Sequence, residues 1–74
     1  MTETINVGLV GLGFMGRAHT NAWIDVAHCL QPPLRPVLRA ACDVNTEALA
    51  AFQARYGWQT AETSWEKMVQ RDDI

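Results

Sequence analysis

The sequence predicts an α/β fold, the opening of a doubly wound parallel sheet, on three observations. A short β-branched run, Ile5-Asn6-Val7-Gly8-Leu9-Val10, leads directly into Gly11-Leu12-Gly13-Phe14-Met15-Gly16. A helical apolar pattern follows at once. A second strand then closes on an acidic residue, Asp43, before a second helix begins. Strand, helix and strand in that order demand a parallel sheet with helices on its faces.

Each element has a local cause. Ile5 to Val10 is short, β-branched and followed by Gly, which favours a strand over a helix. Met15, Ala18, Ala22, Val26 and Cys29 recur at three- or four-residue spacing and predict one apolar helix face. Leu30 ends that helix, because Pro32, Pro33 and Pro36 forbid its continuation. Gln31 to Pro36 reads as a loop with a solvated Arg35, and Val37 to Cys42 as the second strand. Asn45 or Thr46 can cap the next helix, and Glu47 suits its positive end. Ala48, Leu49, Phe52 and Tyr56 share a face there, and Gly57 fits the left-handed position past its end. Trp58 to Ala61 predicts a short third strand. Thr63-Ser64-Trp65-Glu66 has capping-box spacing for a third helix with Trp65, Met68 and Val69 inward. Arg71-Asp72-Asp73 reads as a solvated turn, and Ile74 as the first residue of another strand.

The composition fits a piece of a globular protein. At 74 residues and 8.2 kDa the chain holds at most one small domain. A chain of this size buries only about 60% of its unfolded surface, which makes a stand-alone core marginal. A sheet that stops after three strands also leaves a parallel edge uncovered. Hydrophobic residues are 49% and charged residues 19%, which excludes a disordered tail. The net charge of −2 and six scattered basic residues argue against nucleic acid, whose phosphates need clustered Lys and Arg. No apolar run approaches the roughly 18 residues of a membrane helix, and Met1-Thr2-Glu3-Thr4 lacks the basic start of a secretion signal. Cys29 and Cys42 form no Cys-x-x-Cys pair. They read as two reduced, buried thiols of a cytoplasmic protein, not as metal ligands.

The glycine motif carries the chemistry. Gly11 permits the tight turn out of the strand, Gly13 lets a pyrophosphate approach the backbone, and Gly16 lets helix and strand pack closely. The N–H groups of Phe14 and Met15 would point at the phosphates, at the positive end of the helix. Asp43 can accept hydrogen bonds from both adenosine ribose hydroxyls and repels a 2′-phosphate, which favours NAD over NADP. It lies 27 residues after Gly16, where about 20 is usual, and the proline-rich loop absorbs the excess. No Arg follows Asp43, though a distant Arg could still serve NADP.

Rival glycine motifs fit less well. A P-loop needs Lys-Ser/Thr after its last glycine, and here Arg17-Ala18 stand there. A kinase loop needs a following strand with its lysine, but a helix follows and the sole lysine is Lys67. A methyl-transfer motif would place a third glycine where Met15 stands. A flavin dinucleotide, or a glycine turn with no ligand, stays open on the motif alone. His19 reads as a helix residue that packs against a neighbouring loop or fixes the turn, with a catalytic or phosphate-contacting imidazole as the other reading. Arg17 reads as a solvated side chain, with a phosphate contact as the other reading. His28 reads as a plain surface residue, and Trp23, Trp58 and Trp65 as packing residues. No catalytic triad or metal arrangement stands out.

From Val7 to His19, and most specifically in Gly-Phe-Met-Gly-Arg-Ala-His, the sequence resembles the start of the Gfo/Idh/MocA family of oxidoreductases. Ala41-Cys42-Asp43, the Arg55-Tyr56-Gly57 helix end and Trp65 to Ile74 extend the resemblance along the chain. It implies a truncated Rossmann-type domain: residues 1–74 as its N-terminal portion, with the C-terminal substrate domain absent. It implies hydride transfer between NAD(P) and a hydroxyl-bearing carbon of a sugar or cyclitol, in a homo-oligomer. The cofactor residues it implies are Gly11, Gly13, Phe14, Met15, Gly16 and Asp43. The family's catalytic lysine lies in a Glu-Lys-Pro motif; Glu66-Lys67 is followed by Met68 and lies in the wrong element, so no catalytic residue carries over. The competing reading is a non-catalytic nucleotide-binding or regulatory module, complete at 74 residues.

Overall fold

The structure is a computed structural model and describes residues 3–30 and 32–74. Met1, Thr2 and Gln31, which belong to the expected N-terminal run and loop, lie outside the described residues. The elements are β1 (Glu3–Val10), α1 (Phe14–Cys29), β2 (Leu34–Cys42), α2 (Thr46–Tyr56), β3 (Thr60–Glu62) and α3 (Trp65–Val69). The three strands are parallel, in the order β1-β2-β3. The expected alternation therefore holds.

The two faces of the sheet are built differently. Adjacent strand residues point to opposite faces. Val7 and Leu9 of β1 join Leu38 and Ala41 of β2 under Leu49, Phe52 and Tyr56 of α2, with Trp58 alongside. The Phe52 and Tyr56 rings meet at 4.7 Å. Helix α1 covers this same face, because Gly16 lies over Leu9. On the other face Ala40 and Cys42 pack in a small cluster with Met68 of α3, and Met68 and Ile74 lie against Gly8.

The strands run further than the sequence predicts. Strand β1 starts at Glu3 and β2 at Leu34, so Leu34, Arg35 and Pro36 pair with Glu3, Thr4 and Ile5 rather than forming a loop. Pro36 is tolerated because β3 reaches only Ala40 to Cys42. At Pro36 the strand has a neighbour on one side only, and there a missing N–H breaks no second ladder. Strand β3 sits at Thr60–Glu62, just after the predicted Trp58 start. Ile74, expected to open another strand, carries no strand pairing.

The inward face of α1 is also not the predicted one. Gly16 and Thr20 are buried and Ile24, Val26 and Ala27 half-buried; of the predicted face Val26 thus turns inward, while Met15, Ala18, Ala22 and Cys29 are exposed. The close approach at Gly16 fixes the helix rotation. Thr20, one turn later, can be buried because its hydroxyl donates to the Gly16 carbonyl at 2.8 Å. Apolar spacing could not count a glycine and a threonine as core. The buried-thiol expectation accordingly fails for Cys29 and holds for Cys42.

Helix α3 is capped by Ser64, not Thr63: Ser64 Oγ accepts the Lys67 N–H at 3.3 Å. Five residues have one inward position, filled by Met68, so Trp65 and Val69 stay exposed. The turn after it is no free solvated loop. Asp73 accepts from Arg71 at 2.7 and 2.8 Å and from Arg39 at 2.9 Å. Arg39 is the extra residue of a bulge, where Val7 pairs Leu38 but Gly8 pairs Ala40. Bulges re-aim side chains, and the Arg39 guanidinium meets both Asp73 and Gln59. These bonds hold the Asp73 carboxyl well below the usual carboxylate range, the hydrogen bond from Arg71 contributing most.

Candidate functional site

The site is built at the ends of β1 and β2, where the glycine turn lands on Asp43. Gly11 has φ +91°, a left-handed conformation that side chains rarely adopt. A Cβ on Gly16 would overlap the Gly11 carbonyl oxygen, so only glycine permits this approach. Gly13 is different. Its φ is −62°, and a Cβ there would meet no protein atom within 4 Å. The protein itself therefore leaves the space beside Gly13 open.

Helix α1 starts at that space. Gly13 is its N-cap and offers no side-chain oxygen, and its first turn holds no acidic residue. The first intrahelical bond runs from Arg17 N to Gly13 O at 3.1 Å. The N–H groups of Phe14, Met15 and Gly16 precede it and have no intrahelical acceptor. Beside them lies a cleft of about 460 Å³, lined by Val10, Gly11, Gly13, Phe14, Met15 and His19 among others. His19, which the sequence offers as a turn-packing residue or a phosphate-contacting imidazole, borders the same cleft and is exposed. An uncapped helix start with a positive dipole end is a ready anion site.

Asp43 is held to the turn. Its Oδ2 accepts the Leu12 N–H at 3.2 Å, and its Oδ1 accepts the Asn45 N–H at 2.9 Å. Gly11 N also donates to Cys42 O at 2.9 Å. The carboxylate thus joins the glycine turn to the start of α2. Two of its roughly four acceptor positions remain for a ligand. The motif spacing hid this bracing role, although Asp-x-Asn is a recognisable side-chain turn pattern. Next to it the Cys42 thiol is pushed up by burial first, then by Asp43, Glu62 and Glu66. Among the described residues no group of three His, Cys, Asp or Glu gathers to hold a metal ion. No helix among them is long and apolar enough to cross a membrane.

Parallel strands, a glycine turn and a bare helix start define the Rossmann class of nucleotide-binding folds. The family described as "Oxidoreductase family, NAD-binding Rossmann fold" matches residues 5–74, and the chain belongs to it: the Gfo/Idh/MocA oxidoreductases. Levoglucosan dehydrogenase of Pseudarthrobacter phenanthrenivorans is 33% identical over 73 residues, covering 97% of this chain and 19% of that protein. A solved oxidoreductase domain protein from Kribbella flavida superposes with TM-score 0.87 at 39% identity, over 100% of this chain and 20% of that one. A solved levoglucosan dehydrogenase in complex with NADH gives TM-score 0.90 at 33% identity, over 97% and 20%. Scyllo-inositol dehydrogenase from Lactobacillus casei gives 0.76 at 32%, over 100% and 20%. The chain thus spans about a fifth of the length of these relatives.

Proposed function

We propose that this chain holds the adenosine and pyrophosphate of NAD for an oxidoreductase acting on a hydroxyl-bearing carbon of a sugar or cyclitol. The observation that carries the reading is the bare start of α1, open at Gly13 and placed beside Asp43. The family membership and the sugar and cyclitol dehydrogenases among the relatives support the substrate class.

Bound NAD would supply the hydride acceptor or, when reduced, the donor. The residues here bind and orient it. Gly11 and Gly16 shape the turn, and the absent side chain of Gly13 admits the pyrophosphate to the N–H groups of Phe14 and Met15. Asp43 receives the ribose hydroxyls with its free lone pairs and disfavours a 2′-phosphate. No residue of this chain is assigned to proton transfer. Residues 1–74 would then be the N-terminal portion of a dinucleotide-binding domain, with a substrate domain elsewhere in the protein. The reading extends to a cytoplasmic homo-oligomer, supported by two free cysteines and by exposed Met15 and Trp23 on α1.

Calorimetric titration with NADH and NADPH tests it. NADH should bind the tighter of the two. Asp43→Ala should weaken NADH about tenfold or more, the scale of hydrogen bonds to a charged group. Unchanged affinity for both cofactors in that variant would remove Asp43 from the ribose. A wild-type chain that binds neither would overturn the cofactor reading.

A further inference from the structure

We infer that the groove between α1 and α2 is a second ligand site, for an organic anion that joins a phosphate or carboxylate head to an apolar body. It goes beyond the cofactor reading and does not rest on it. A cavity of about 440 Å³ lies in this groove, lined by Phe14, Arg17, Ala18 and Asn21 of α1 and by Arg55 and Tyr56 of α2. A smaller one of about 270 Å³ shares Arg17, Arg55 and Tyr56 with it and continues over Leu12, Ala48, Ala51 and Phe52. Neither arginine lines the cleft at the start of α1.

The polar lining of this groove is one-sided. Arg17, Asn21, Arg55 and Tyr56 bring N–H and O–H donors, and no carboxylate lines either cavity. Among the described residues Arg39 and Arg71 are paired with Asp73, whereas Arg17 and Arg55 have no carboxylate partner. Arg17 also stands near the positive end of α1, where a cation is unfavourable and a bound anion offsets it. Arg55 is held ready. Its guanidinium carbon lies 5.6 Å from the centre of the Tyr56 ring, and that ring meets Phe52 at 4.7 Å. Stacking orients a fork whose N–H groups match the oxygens of a carboxylate or a phosphate. Leu12, Ala48, Ala51 and Phe52 supply the other half of the site. A cationic rim over an apolar floor selects an anion with a hydrocarbon or aromatic body over a bare, hydrated ion.

The test is calorimetric titration of the purified full chain with phenyl phosphate and 3-phenylpropionate, with inorganic phosphate and benzyl alcohol as controls. At least one aryl anion should bind wild type about tenfold or more tighter than inorganic phosphate, the scale of burying its ring. Benzyl alcohol, which lacks the charge, should not bind. Arg17→Gln and Arg55→Gln should each weaken the aryl anion about tenfold, the scale of a hydrogen bond to a charged group. Ala51→Glu should abolish binding, because its carboxylate would occupy the two arginines. All three positions are exposed on helices, so the variants should keep the wild-type circular dichroism. The NADH affinity of Arg55→Gln should equal that of wild type, which separates this site from the cofactor cleft. Phenyl phosphate binding alone would make the ligand a phosphate ester; phenylpropionate binding alone would make it a carboxylic acid. An aryl anion that binds all three variants as tightly as wild type sits elsewhere and overturns the inference. So does a wild type that binds neither aryl anion, or that binds inorganic phosphate equally well.

Discussion

Helices α1 and α2 lie on the same face of the sheet, yet they start in opposite ways. Asn45 caps α2, its Oδ1 accepting the Ala48 N–H at 3.0 Å, and Glu47 sits in the first turn. The start of α2 is satisfied by its own side chains. Gly13 gives α1 no cap, and no acid lies in its first turn. The longer helix, sixteen residues against eleven, is thus the one left bare. A buried or crowded N-terminus without a partner would be a defect, but this one faces an open cleft. On the proposed function, the difference separates residues that serve the fold from residues left open for the cofactor's phosphates.

The largest effect should come from Gly16→Ala, which attacks both roles. The new methyl would overlap the Gly11 carbonyl oxygen, a backbone atom with little room to yield. Destabilisation of about 3 kcal/mol is expected, at the upper end for overpacking. Urea unfolding should show a lower midpoint, and NADH binding should be lost. A variant as stable as wild type would mean that the turn is not held against the helix as described.

Gly13→Ala and Asn45→Ala divide the two roles. Gly13 has an ordinary φ and empty space around it, so alanine fits the folded chain. Reduced freedom of the unfolded chain and a poorer cap oppose each other, leaving stability within about 1 kcal/mol. NADH affinity should fall more than tenfold, because the methyl occupies the approach to the phosphates. Asn45→Ala should do the reverse: about 1 kcal/mol of stability lost with the cap, and NADH affinity unchanged. Saturating NADH should raise the unfolding free energy of wild type and Asn45→Ala by about 2.7 kcal/mol at a hundredfold excess over Kd, seen as a higher urea midpoint. If Gly13→Ala binds normally, the bare helix start has no ligand and the contrast between the helices is accidental.

This contrast was partly readable in the sequence. Asn45, Glu47 and Gly57 mark α2 because caps and terminal glycines act locally, and the glycine triplet marks α1 for the same reason. Asp43 was legible by its place after a strand. The inward face of α1 was not, because it is set by contact between Gly16 and a turn five residues earlier, and by Thr20 satisfying itself. Leu34 to Pro36 were hidden because their strand character depends on a partner more than thirty residues away in sequence, at Glu3 to Ile5. The apolar spacing of Trp65, Met68 and Val69 predicts an inward face that a five-residue helix lacks room to build, and Trp65 stays exposed. Long-range partners were what single-sequence patterns could not supply.

The corner around Asp73 belongs with α2, among the groups the protein satisfies internally, and it gives the smallest and most conditional prediction. Arg39 and Arg71 reach this carboxylate from β2 and from the turn after α3, and Arg71 also lies 3.5 Å from Glu62. The folded chain holds the Asp73 pKa below its ordinary value, with the Arg71 hydrogen bond as the main cause. A depressed carboxyl pKa stabilises the fold at pH values above the unfolded value of about 4. That contribution is lost as pH falls from there through the folded value, because the unfolded chain takes up the proton first. Asp73→Asn should therefore lose little at neutral pH, where partly exposed ion pairs contribute modestly. It should flatten the fall of the urea midpoint between about pH 4 and about pH 2. The NADH-dependent stabilisation should stay as in wild type, since α1 is not involved. An acid profile identical to wild type would show that the three groups do not act together in solution; a lost NADH response would tie this corner to the cofactor site and dissolve the division between the two kinds of region.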